Sequence, residues 1–178
     1  MKTLNKLLAS AIALVGFATT TNAQATATAT ATATVITPIS ITKTTDMNFG
    51  SLAVLAATPG TVILLPDNTR TATGGVSLST IGATPTAAVF AVAGSGASTY
   101  AITLPTTVTL TNTTGGGAET MTAGTFTSTP TPTGVLTAGA QNISVGATLS
   151  VAAAQVPGVY VSPATSVAGS LDVTVNYN

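Results

Sequence analysis

The side chains able to do chemistry in this sequence are four carboxylates, a handful of bases and many hydroxyls. The acids are Asp46, Asp67, Glu119 and Asp172, and beyond residue 23 the bases are Lys43 and Arg70. His and Cys are absent. A Thr or Ser nucleophile needs a neighbouring base to take its proton, and neither a His nor a well-placed Lys is present. A Ca²⁺ loop needs several oxygen ligands close together. No two acids have that spacing, and Asp67-Asn68-Thr69 reads as a turn cap. Gly115 to Gly117 lacks the Lys-Ser/Thr that completes a phosphate loop. Nucleic-acid binding needs a basic face, which two bases cannot build. Asn112-Thr113-Thr114 and Asn142-Ile143-Ser144 match the N-glycosylation sequon. The sequence thus predicts no catalytic, cofactor-binding or metal-binding residue, and a protein that acts through backbone and shape rather than an enzyme.

The amino-terminal residues read as an export signal. Lys2 and Lys6 give the positive start, Leu7 to Ala18 the apolar run, and Thr21-Asn22-Ala23 the small-residue end. Cleavage is expected between Ala23 and Gln24. The apolar run is too short to cross ~30 Å of hydrocarbon, so no stable membrane span is expected after its removal. The product would be secreted, and at its length one domain is expected. Two bases against four acids leave little electrostatic protection against association, which tilts the reading towards self-assembly.

After the signal, β-branched residues dominate and Gly, Pro and Asn punctuate the chain at short intervals, an all-β pattern. Val35 to Lys43 alternates, with Val35, Ile39 and Ile41 on one side and Pro38 marking an edge or a bend. Thr61 to Leu65 and Arg70 to Ser79 form a hairpin around Pro66-Asp67-Asn68, with a bulge or close approach at Gly74-Gly75. Ala87 to Ala93 and Thr99 to Leu104 read as a second hairpin around Gly94-Ser95-Gly96. Val108 to Leu110, Glu119 to Ser128 and Gln141 to Val151 follow. Leu171, Val173, Val175 and Tyr177 share one face of the closing strand. Phe90, Val92, Ile102, Leu104, Leu149, Val173 and Val175 are the expected inward residues. Seven to nine strands at this spacing predict an antiparallel β-sandwich, with a β-barrel as the alternative.

Ala25 to Thr34 is a run of five Ala-Thr pairs. As a strand it would place Ala25, Ala27, Ala29, Ala31 and Ala33 on one face and the Thr residues on the other. The Ala face runs in phase into Val35, Ile39 and Ile41. The segment is therefore either a linker or an exposed strand that adds to a neighbour's sheet. Its single Thr row is too little for ice binding, which needs rows across several strands. The domain division is 1–23 signal, 24–34 extension and 35–178 sandwich.

Three stretches together resemble a secreted bacterial family, domain of unknown function 4402. They are Ile39 to Gly50, Arg70 to Leu78, and Pro157 to Tyr160 with Leu171 to Asn178. Val161 to Ala168 is inserted within the last of these. The ending is also similar to spore coat U-like and archaic chaperone–usher pilin domains, which are immunoglobulin-like sandwiches that polymerise by strand exchange. That similarity implies an immunoglobulin-like fold with an extended N-terminal strand, a homo-oligomer or filament at a bacterial surface, reached through the periplasm if Gram-negative. It also implies an export chaperone touching the penultimate Tyr177.

Overall fold

A computed structural model describes residues 24–114 and 119–178. Residues 1–23, where the export signal ending at Ala23 is expected, and residues 115–118, with the glycines 115–117, lie outside the described residues. The chain divides into two units, residues 1–35 and Ile36–Asn178. In the first, Gln24 to Val35 carries no strand and is exposed throughout, Val35 at 95 %.

The second unit is all-β among the described residues. Its strands in chain order are β1 (Ser40–Thr45), β2 (Leu52–Val54), β3 (Gly60–Leu64), β4 (Arg70–Gly74), β5 (Val76–Leu78), β6 (Ala88–Ala93) and β7 (Thr99–Thr103). Then come β8 (Thr107–Asn112), β9 (Thr120–Thr129), β10 (Thr133–Val135), β11 (Ala140–Val151), β12 (Tyr160–Val161) and β13 (Thr174–Tyr177). An eight-stranded sheet curls into a half-barrel in the order β1-β6-β11-β9-β8-β12, with β3 pairing β11 and β4 pairing β3. Two smaller sheets, β10-β7-β13 and β2-β5, complete the set.

The long strand β11 organises the large sheet. Ile143, Val145, Ala147, Leu149 and Val151 are buried, while Ser144, Thr148 and Ser150 between them are half-buried or exposed, the period-two pattern of a sheet with one covered face. Its first half pairs β6, its second half pairs β3, and its other edge pairs β9. Two core clusters form on the covered face. One joins Val62, Leu64, Met121 and Leu149 of the large sheet to Phe49 and Val76 around the β2-β5 pair. The other joins Phe90, Val92, Ile143 and Val145 to Tyr100 and Val175 of the three-stranded sheet. Met47, Phe126 and Leu171 touch both clusters.

Two expected pairings differ from the structure. Ala87 to Ala93 and Thr99 to Leu104 do not form a hairpin. Both edges of β6 are occupied, by β1 and β11, so the chain crosses to the other sheet and β7 pairs β10 and β13. The turn between them is held instead by Gly94 N donating to Gly139 O and Gly139 N to Gly96 O. Likewise Arg70 to Ser79 is not one strand. It pairs β3 as far as Gly74, then turns and pairs β2 from Val76. Gly74 has a φ of 66°, and a side chain on Gly75 would run into the carbonyl of Thr58, so both glycines are required for that step. The first strand also starts later than expected, at Ser40 rather than Val35, because Pro38 has no N–H to offer a ladder.

Candidate functional site

The residues singled out in the sequence fall into two groups. Ala25, Ala27, Ala29, Ala31, Ala33 and Val35 lie with Gln24 in the exposed stretch 24–35 of the first unit. Ile39, Ile41, Val173 and Tyr177 are half-buried against the cluster that contains Val175, and Leu171 packs beside them. The alternation Leu171, Val173, Val175, Tyr177 faces inward as expected, although only Thr174–Tyr177 has strand pairing. Ile102 and Leu104 are half-buried, whereas Phe90, Val92 and Leu149 are buried. The Tyr177 hydroxyl donates to Thr37 O (2.8 Å) and accepts from Ser95 N (2.6 Å). It thereby ties the last strand to the segment before β1.

Several strand edges are open. Among the described residues β1 pairs only β6, β13 only β7, β2 only β5 and β12 only β8. An unpaired edge presents a row of N–H and C=O groups to any strand that approaches. Two of these edges border a cleft of ≈ 960 Å³. Its floor is the covered face of the large sheet, at Phe90, Leu110, Met121 and Leu149. Ser51 to Val54 line one side and Val156 to Ala164 another. Lys43 and Asp46 stand at its rim, paired at 2.6 Å but largely exposed, so that bond adds little stability. Asp172, also on the lining, accepts from Ser166 Oγ (3.0 Å) and Ser170 Oγ (2.8 Å).

One cation shapes the β2 side. The Arg70 guanidinium donates to Phe49 O (2.6 Å), Ser51 O (3.1 Å) and Ser79 O (2.5 Å). It stitches the loop before β2 to the end of β5 with three neutral acceptors. Asp67 caps its turn by accepting from Thr69 Oγ1 (2.6 Å) and Thr69 N (2.9 Å). Those bonds, the hydroxyl first, hold its carboxyl below the usual 3.8. Burial raises the Tyr100 phenol above 10.0; its hydroxyl donates to Gln141 Oε1 at 2.7 Å. Among the described residues, no three acidic side chains gather as metal ligands would.

The uncovered face of the large sheet carries a hydroxyl row that sequence reading missed. Register places Thr73, Thr61, Ser150, Thr122 and Thr109 side by side on five neighbouring strands, with Thr61 and Thr73 oxygens 2.7 Å apart. Neighbouring strands rotate by roughly 20–25°, so a flat crystalline surface loses step with the row after two or three strands. The row is therefore a poor ice-binding face. Its members were invisible in sequence because the residues are far apart along the chain and only the pairing aligns them.

No curated protein and no solved structure matches the chain. A family model matches residues 39–177, from the residue before β1 to the end of β13. That span takes in both core clusters and both sides of the cleft, and by it the chain belongs to the family described as Domain of unknown function (DUF4402).

Proposed function

We propose that this chain is a secreted, non-catalytic structural subunit that assembles by β-strand addition into a filament or layer at a bacterial surface. One observation carries the reading: an exposed, uncharged, alternating segment precedes a domain that has open strand edges. Strand addition draws affinity from main-chain hydrogen bonds and specificity from alternate side chains. The Ala-Thr segment is suited to that role. It has no charged side chain to desolvate, its Ala face permits close approach, and its Thr face remains compatible with water. Of the apolar residues in phase with the Ala face, Val35 is exposed and adds the larger apolar area, whereas Ile39 and Ile41, expected as part of the same strand, are already engaged with the chain's own core. The scarcity of acid–base groups favours a structural role over catalysis. An export chaperone that shields the open edges until assembly fits the same scheme, with Tyr177 beside its contact surface.

Two changes test this: deletion of Gln24 to Thr34, and Pro at Ala29 and Ala31, which removes ladder donors without adding charge. Both leave secretion and the fold intact and abolish high-order species in size-exclusion chromatography and electron micrographs. The cleft supports a second reading, a monomeric binding module, because its volume falls within the range of ligand pockets. A wild-type protein that stays monomeric at high concentration with its export partners present overturns assembly and leaves the binding module.

A further inference from the structure

The cleft has sides of an unusual kind. Ser51, Leu52, Ala53 and Val54 line it consecutively. Successive residues of a strand point to opposite faces, so a side built from both parities is the edge of β2 rather than one of its faces. The same holds opposite, where Tyr160 and Val161 of β12 lie within an unbroken lining run. Among the described residues β2 bonds only to β5 and β12 only to β8. The backbone groups on their other edges therefore open towards the cleft, over an apolar floor.

That combination selects its occupant. An acyl chain or another wholly apolar ligand would cover the floor but shut these N–H and C=O groups away from water unpaired, at a cost of a few kcal/mol each on the order of a lost hydrogen bond. A strand satisfies them while its alternate side chains meet the floor. The floor side chains are themselves buried or half-buried, with Phe90 and Met121 at 7 % exposure and Leu149 at 2 %. A strand whose backbone is to approach such a floor closely needs small side chains on its inner face. Ala at every other position meets that requirement, and the uncharged segment brings no ion into the cleft.

We infer that the cleft between β2 and β12 receives the Ala-Thr segment of a second copy of this chain, Ala side chains down and Thr side chains out. This rests on the assembly reading above and names the acceptor for it. β2 and β12 span three and two residues, fewer than the ten of the repeat, and the repeat is identical every two residues. Register is weakly specified under such conditions, so the segment seats in several positions that differ by whole Ala-Thr steps, always with the same face down.

The chain has no cysteine, so an engineered pair reports one contact only. Ala53 is exposed, on the outward side of β2, where it would neighbour a Thr of the inserted strand. Full-length Ala53→Cys protein is mixed with a second population carrying one of Thr26→Cys, Thr28→Cys, Thr30→Cys, Ala29→Cys or Ala31→Cys, and mildly oxidised. The expected result is disulfide-linked pairs at the Thr positions and loss of the linked species at the Ala positions, because Cβ atoms on opposite faces cannot meet. Equal linkage at both parities overturns the inference. So does linkage to Thr42→Cys on the open edge of β1 in place of Ala53→Cys, which would keep strand addition and move the acceptor. Linkage seen only when both cysteines share one chain also overturns it, since the segment would then fill its own cleft. Absence of high-order species in the wild type rejects the underlying reading instead.

Discussion

Replacing Arg70 by Met keeps most of the side chain's length and removes the three bonds to Phe49 O, Ser51 O and Ser79 O. Hydrogen bonds from a charged donor contribute about 1.5–3 kcal/mol each, so the three set an upper bound of ~4.5–9 kcal/mol. Arg70 is only half-buried, and the released carbonyls can partly rehydrate, so the expected loss is ~2–4 kcal/mol. For a domain of this size that is a fall in Tm of about 4–16 °C. Urea denaturation followed by far-ultraviolet circular dichroism and tyrosine fluorescence measures it. The acceptors are neutral, and the one ion pair among the described residues is Lys43–Asp46. The loss is therefore expected to be nearly the same at low and at molar salt, where screening would erase a surface ion pair. Gly50 gives a second approach. It has a φ of 72°, and a Cβ there would fall 2.5 Å from the Arg70 guanidinium, so Gly50→Ala reproduces part of the defect with Arg70 intact. An Arg70→Met protein within ~0.5 kcal/mol of wild type, the usual range for neutral surface changes, or a loss that vanishes in salt, refutes the carbonyl-clamp argument.

Three further outcomes are expected. Val175 is buried at 7 % exposure while Val173 is half-buried, so Val175→Asp unfolds the domain by burying an unpaired charge; Val173→Asp lowers the melting temperature but leaves a folded protein in circular dichroism. Because burial raises the folded-state pKa of Tyr100, the unfolded chain ionises first, and stability falls as pH rises through 10.0. Tyr100→Phe lessens that alkaline loss in melts between neutral and strongly alkaline pH, at a cost near neutrality of about 1 kcal/mol, since Val135 N still donates to Gln141 Oε1. Intact-mass analysis of the exported protein finds Gln24 as the first residue, and retention of Leu7 to Ala18 would reject the signal assignment.

What the sequence made legible follows from how local each signal is. The alternation of β11, the hairpin at Asp67 and the inward face of Leu171 to Tyr177 all depend on neighbours a few residues away, and each reappears in the structure. The partner of Ala88–Ala93 was misread because a Gly-rich turn permits either a hairpin or a crossing between sheets. Which occurs depends on β1 and β11 competing for the same edges. β2, β10 and β12 are two or three residues long, too short for periodicity to register. The sides of the cleft are built from two of them, so the cleft could not be read in advance. Arg70 counted only as charge, because three carbonyls from two separate segments leave no mark in the side-chain sequence.

The hydroxyl row from Thr73 to Thr109 has one more consequence. No titratable group stands among its members or among Thr71, Ile63, Thr148, Gly124 and Thr107 in the row beside it. The hydration of this face does not change with acidity, and added salt has no charge there to screen. Soluble proteins usually avoid precipitation by mutual repulsion, a protection that weakens in brine and near the isoelectric point. This surface depends instead on uncharged donors and acceptors that bind water equally in rain, sea water or acid soil. The solubility this face confers is thus expected to be independent of pH and ionic strength.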